Sequence, residues 1–353
     1  MSSAKPRVYL LDVLRALAIM LVVMGHSVEQ TFHFADVNVW EQQGTAKALV
    51  VMLLFTIARI SVPFFLFLTG YLFLPRDYDY ERAKGFFIHN FARLLFVTEV
   101  WIVLYNLFNA FFWNIPFTLK SVVRQMAFLD GVPAMDHYWY LPMILGLYLF
   151  LPLIAAGLKH IPAKALVLPV GILLAALTIA PSFGFTTESI LESGFSGGVY
   201  GLYLLLGYMV HENVFRNIPG WLLGLTAAFG ILWTQVVEYI WAGRGEQVVV
   251  WYTWGSLILA SAALFELCVR AAKPAEVPTK AHAPMTFVAK YSFAVYLVHF
   301  PLVQIAVRVM YWNTSSAFLT FIVAFFVPLL LSLLFCRLLD RIPKVGRYLL
   351  YMR

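Results

Sequence analysis

The sequence predicts an all-α integral membrane protein of about ten transmembrane helices, with both termini in the cytoplasm. Composition supports the first part. Of 353 residues, 62% are hydrophobic and 12% are charged, against about 25% charged in a soluble domain. So little polar material cannot cover so much apolar surface, so lipid must solvate most of it. The apolar runs are continuous rather than alternating, which selects helices over barrel strands. The placement of Lys and Arg supports the second part. With the N-terminus inside, 18 of the 25 basic side chains fall on cytoplasmic segments and four on outer ones, as the positive-inside rule requires. A wrong span count would scramble that parity. The net charge of +7 is therefore read as loop asymmetry. Membrane lipids are expected as partners and nucleic acid is not.

The first span, 8–28, follows a short basic segment with Lys5 and Arg7. Asp12 and Arg15 interrupt it and no small-residue cleavage site follows, so it reads as a retained helix rather than a signal peptide. The second span, 49–74, holds Arg59 four residues before Pro63. Proline has no N–H for the Arg59 carbonyl, so a kink and a polar spot are expected there. An inner loop, 75–93, carries Arg76, Arg82, Lys84 and Arg93, and leads into span 94–113. Span 138–158 opens beside His137 in the run Tyr138-Trp139-Tyr140, of a kind common at bilayer interfaces. Spans 165–181 and 195–211 flank an outer loop, 182–194, and Gly197-Gly198 suits close helix packing. Spans 219–240 and 248–270 follow, then an inner linker, 271–289, with Pro274, Pro278 and Pro284. Spans 290–311 and 317–338 come last. Outer loops 29–48 and 114–137 exceed the needs of a tight hairpin, and long loops are often functional. Residues 1–353 are expected to form one polytopic domain, with no appended soluble domain.

An ionisable group at membrane depth costs about 2.5–3.5 kcal/mol on insertion scales, so it usually lines a cavity or meets a partner. Arg15 and His26 are 11 residues apart on the first span. At about 100° per residue that is three turns plus about 20°, so both project from one face, about 16 Å apart along the axis. The structural alternatives are an i,i+3 pair between Arg15 and Asp12 and a His26 ring bonded to a backbone carbonyl. Arg59 is open to a similar double reading, as a functional cation beside Ser61, Thr69 and Tyr71 or as a structural kink. His299 lies mid-span with Tyr296 three residues before it, where a satisfied core histidine is the plain alternative. Glu99, Glu238 and Glu266 lie near span ends, where interfacial solvation is expected. Cys268 and Cys336 sit in apolar runs and read as buried hydrophobes. Metal-ligand spacing is missing, as are a phosphate loop, an HExxH helix and a GxSxG elbow, so no metal is expected.

The stretch Leu11-Asp12-Val13-Leu14-Arg15-Ala16-Leu17-Ala18, ending at His26, resembles the signature of acyltransferase family 3: an arginine, ten residues, then a histidine. The run from Arg59 through Pro63 to Thr69-Gly70-Tyr71 resembles the family's second motif, with threonine where serine is common. His137-Tyr138-Trp139-Tyr140-Leu141 is similar to its His-x-Trp-aromatic-Leu element. Ser292 to Tyr296, Leu297 and His299 resembles the pattern near its C-terminal end. The resemblance covers essentially the whole chain, with the four motifs in order, and is nearest to the stand-alone members that lack a C-terminal hydrolase-like domain.

That resemblance implies a membrane O-acetyltransferase in a bacterial inner membrane. It implies acetyl-CoA or another acyl-CoA as donor and a cell-surface or lipid-linked glycan as acceptor. It implies His26, Arg15 and Arg59 as catalytic, with His26 as general base and Glu29 or Glu41 as candidates to orient its ring. Ser61, Thr69, Tyr71, Arg76, Arg93, His137, Trp139, Tyr140, Tyr296 and His299 are then expected to bind donor or acceptor. Arg82 and Lys84 are further candidates for the nucleotide phosphates. The main rival is a transporter or flippase for an anionic or lipid-linked substrate, which ten helices with buried arginines also suit; an internal repeat, frequent in transporters, is not seen. Two further rivals are a membrane-bound O-acyltransferase of the unrelated lipid-modifying type and a structural subunit of a glycan assembly complex.

Overall fold

In the computed structural model, residues 8–175, 198–272 and 279–351 are described. The expected loop 182–194, Gly197, parts of spans 165–181 and 195–211, and Pro274 and Pro278 of the linker lie outside the described residues. Those that are described form helices joined by short irregular segments, with no strand among them. Seven of the helices are long and apolar enough to cross a bilayer, and the chain is an all-α, multi-pass membrane protein.

The first helix, α1 (Tyr9–Phe32), runs further than expected. A short turn, α2 (Val39–Gln43), is capped by the Asn38 side chain. The second span divides into α3 (Thr45–Arg59) and α4 (Ser61–Phe73), with the break at Ile60. The break stands where Pro63 leaves the Arg59 carbonyl without an N–H. The expected inner loop 75–93 is largely helical. Asp79 caps α5 (Tyr80–Phe86), a wide π turn follows at Phe87–Phe91, and α6 (Ala92–Phe112) continues from it.

In the second long outer segment, Thr118 caps α7 (Leu119–Met126). Arg124 clasps Asp130 at 2.6 Å and 2.8 Å, and that hydrogen-bonded guanidinium lowers the Asp130 carboxyl below the usual carboxylate range. Helices α8 (Tyr140–Leu158), α9 (Val167–Leu174) and α10 (Gly198–His211) follow. The rest are α11 (Gly220–Ala242), α12 (Gly255–Arg270), α13 (Ala283–Asn313), α14 (Ala317–Asp340) and α15 (Pro343–Leu349).

Two buried apolar cores lie on either side of α1. Leu14, Ala18 and Val28 pack into a core shared by α3, α4, α8, α10 and α12. Ile19, Val22 and Val23 pack into a core shared by α6, α13 and α14. The seam is tight: the Ser27 hydroxyl donates to the Ala324 carbonyl of α14 at 2.8 Å. Helices α4 and α10 approach to backbone contact. A Cβ on Gly70 would stand 2.0 Å from the Leu204 oxygen, and one on Gly207 would stand 2.2 Å from the Phe67 oxygen.

Two expectations need correction. Span 248–270 starts late, at Gly255, because residues 246–254 are not helical but folded back over the bundle. The buried Glu238 carboxylate accepts the Val250 N–H at 3.0 Å, Tyr203 donates to the Tyr252 carbonyl at 2.7 Å, and the Val39 N–H donates to the Gln247 side chain. Glu238 and Glu266 are also not solvated at an interface: they are 0% and 4% exposed. Glu238 meets Gln235 and the Val250 N–H, and Glu266 meets Arg270 at 2.7 Å. A buried carboxylate needs such partners.

Candidate active site

A cavity of about 270 Å³ runs between the two cores, along the face of α1 that carries both Arg15 and His26. Gly25, next to His26, leaves that wall open while Ala58 of α3 approaches. Glu29, one turn beyond His26, binds its Nδ1 at 2.9 Å. The other Glu29 oxygen faces Arg59 Nη2 at 3.5 Å, and Arg59 Nη1 donates to the Tyr252 hydroxyl at 3.0 Å. A chain of contacts thus runs from imidazole through carboxylate and guanidinium to phenol. Arg59 is only 6% exposed, a burial made tolerable by that chain and by the faces of Phe55, Trp251 and Tyr252, 4.3, 4.6 and 5.0 Å from its guanidinium. Aromatic faces attract a cation most when water is excluded.

Two further histidines adjoin the first. The His26 ring centroid lies 6.1 Å from that of His137 and 5.5 Å from that of His299, and Phe300 stacks on His137 at 4.5 Å. Hydrogen-bond partners fix the tautomers. A carboxylate accepts from His26, so Nδ1 carries the proton and Nε2 the lone pair. Two carbonyls, of Val295 and Tyr296, accept from His299 Nδ1. The Tyr105 hydroxyl gives its proton to the Leu297 carbonyl and so accepts from His137 Nε2. In its neutral form each ring keeps one accepting nitrogen. Those of His137 (Nδ1) and His299 (Nε2) are buried with no protein partner. The cluster is built to receive hydrogen-bond donors. Among the described residues no group of His, Cys, Asp and Glu is arranged to hold a metal ion.

Of the residues singled out from sequence, Arg15, His26, Arg59, Ser61, Thr69, His137, Trp139, Tyr140 and Tyr296 line the cavity. Arg15 also stands 3.8 Å from Asp12, so the expected local pair and the cavity position coexist. Thr69 bonds back to the Phe65 carbonyl at 2.8 Å, and the Tyr296 hydroxyl donates to the His137 carbonyl at 2.5 Å. Tyr71, two residues and about 200° beyond Thr69 on the helix, turns away and packs on His211 and Phe265. Arg76 lies past the end of α4, exposed, with its Nε on the Leu72 carbonyl and its guanidinium 4.1 Å over Phe73, a cavity residue. Arg93 stands outside the cavity, 4.8 Å over the ring of Tyr351, which lines it. His299 is fully buried behind His26. Glu41 is exposed on α2, and Glu29 is the carboxylate at the ring.

Sequence reasoning missed Tyr252, Trp251 and Tyr351. The first two sit in a stretch that reads as helix, and the third lies beyond the last span. No local pattern marks them. Among known proteins, a family model described as an acyltransferase domain matches residues 8–337. No curated protein and no solved structure matches the chain.

Proposed function

The chain belongs to acyltransferase family 3, whose model spans nearly its whole length, and on that premise we propose that it transfers an acetyl group from acetyl-CoA to a hydroxyl of a cell-surface or lipid-linked glycan, with His26 as general base. One observation supports this above all: a single cavity joins Arg15 at one end to the His26–Glu29–Arg59 chain at the other. A donor made in the cytoplasm and an acceptor displayed outside require such a passage. The proposed setting is a bacterial inner membrane, with Arg15 toward the cytoplasm.

In this reading the acyl-pantetheine arm lies along the α1 face and brings its thioester to His26. The neutral ring offers Nε2 as base while Glu29 holds Nδ1 and steadies the imidazolium that forms. His26 removes the acceptor proton as the hydroxyl oxygen attacks the thioester carbonyl. The carbon–sulfur bond then breaks, and the leaving thiolate takes the proton from His26. Arg59, boxed by aromatic faces, supplies positive charge near the carbonyl oxygen. The accepting nitrogens of His137 and His299 suit a hydroxyl-rich acceptor. Arg15 and the outlying Arg76 and Arg93 favour the phosphates of the donor.

The test pairs mass spectrometry of surface glycans, with and without the protein, with the His26→Ala variant. A gain of acetyl mass is expected with the native chain, and general-base loss lowers transfer by about 10²–10⁴-fold while the protein still inserts and purifies as a single species. Near-normal acetylation by His26→Ala removes it as the base. Movement of a solute with no dependence on CoA supports a carrier instead.

A further inference from the structure

A second hollow lies at the Arg15 end of the bundle. It measures about 660 Å³, and His89, Asn90, Arg93 and Tyr348 are among the residues that line it. Part of its wall is the π turn Phe87–Phe91, an irregularity frequent at functional sites. Tyr351 separates the hollow from the cavity. Its ring lines the cavity and packs on Phe293 at 5.2 Å. Its hydroxyl donates to the Asn90 carbonyl at 3.1 Å, and Arg93 covers its ring. Tyr351 holds a left-handed backbone with φ of 57°, unfavourable for a bulky side chain and kept only where surroundings enforce it. One enforcing contact is visible: Trp101 donates to the Leu349 carbonyl at 2.7 Å. The family match ends at residue 337, so this closure is supplied by chain beyond it.

We infer that this hollow receives the phosphorylated nucleotide end of the acyl-CoA donor, and that Tyr351, under Arg93, is the sill over which the pantetheine arm enters the cavity. The inference rests on the donor proposed above. The inner cavity, at about 270 Å³, is at the lower limit for a drug-sized ligand. It suits the acyl-pantetheine arm and leaves the nucleotide to be housed elsewhere. The adjoining hollow is wider, and it presents a guanidinium, which pairs with phosphate through two parallel N–H groups, beside aromatic and imidazole rings able to lie against a base.

The experiment is equilibrium binding of CoA, and separately of pantetheine, to the purified full chain in lipid nanodiscs. Three variants are compared: Arg93→Gln, Tyr351→Ala and His89→Glu. His89 is exposed, so the last places a carboxylate in the hollow without disturbing packing. Arg93→Gln and His89→Glu are expected to weaken CoA at least tenfold and leave pantetheine unchanged, whereas Tyr351→Ala weakens both. If the native chain binds CoA and His89→Glu and Arg93→Gln bind it equally well, the hollow is not the nucleotide site and the donor assignment stands. If the native chain binds no CoA at all, the donor assignment fails and this inference falls with it.

Discussion

His26 acquires its role from two neighbours at different removes in sequence. Glu29 is three residues along the same helix, so the ring–carboxylate pair is legible from helical spacing alone. So is the alignment of Arg15 with His26. Tyr252, which completes the chain through Arg59, is 193 residues from it and lies in a stretch whose apolar character does not separate helix from a folded-back loop. Burial of Arg59 could be foreseen, but not what surrounds it. The carboxylate bond gives a sharp expectation for Glu29→Gln. The amide keeps the shape but loses the charge that steadies a protonated ring, so kcat is expected to fall about tenfold or more with KM for donor nearly unchanged. Steady-state kinetics decide it, and a wild-type kcat removes Glu29 from the proton path.

Helices α4 and α10 cross with no side chain between them at Gly70 and Gly207. Close approach of this kind is how membrane helices gain contact when lipid offers no hydrophobic drive. The Thr69-Gly70-Tyr71 motif was visible in sequence as a possible binding element, whereas the structure gives its parts different work. Thr69 faces the cavity, Gly70 admits α10, and Tyr71 packs on the far side. Only the partner helix explains that division. Gly70→Ala is expected to lower thermal stability by about 1–3 kcal/mol or to prevent folding. Gly146→Ala, where a Cβ meets open space, is the neutral control. Thermal unfolding in detergent measures both, and equal melting of the two variants contradicts the backbone contact. Of the Gly197-Gly198 pair singled out from sequence, Gly197 lies outside the described residues; the close crossing described is at Gly70 and Gly207.

At the scale of the molecule, hydropathy predicted the class and most of the helices, because lipid-facing composition is a property of each segment by itself. Where the helices start was less legible. The chain from Tyr80 and from Lys280 is already helical, although its polar composition reads as loop. Orientation rests on the basic residues and is open to a direct test. In a chain with Cys268 and Cys336 replaced by alanine, a cysteine at Lys120 is expected to react with a membrane-impermeant thiol reagent from outside. One at Lys84 is expected to react only after the membrane is opened, and the reverse pattern inverts the assignment. The position of α1 between two cores has a consequence for biosynthesis. Translation produces α1 first, yet Ile19, Val22 and Val23 pack with α13 and α14, the last long helices made. The nascent helix must therefore hold Arg15 and His26 in the bilayer with that flank uncovered until the ribosome has nearly finished. A message truncated before residue 283 would yield a chain that enters the membrane without His299 and with the α13- and α14-facing flank of α1 uncovered.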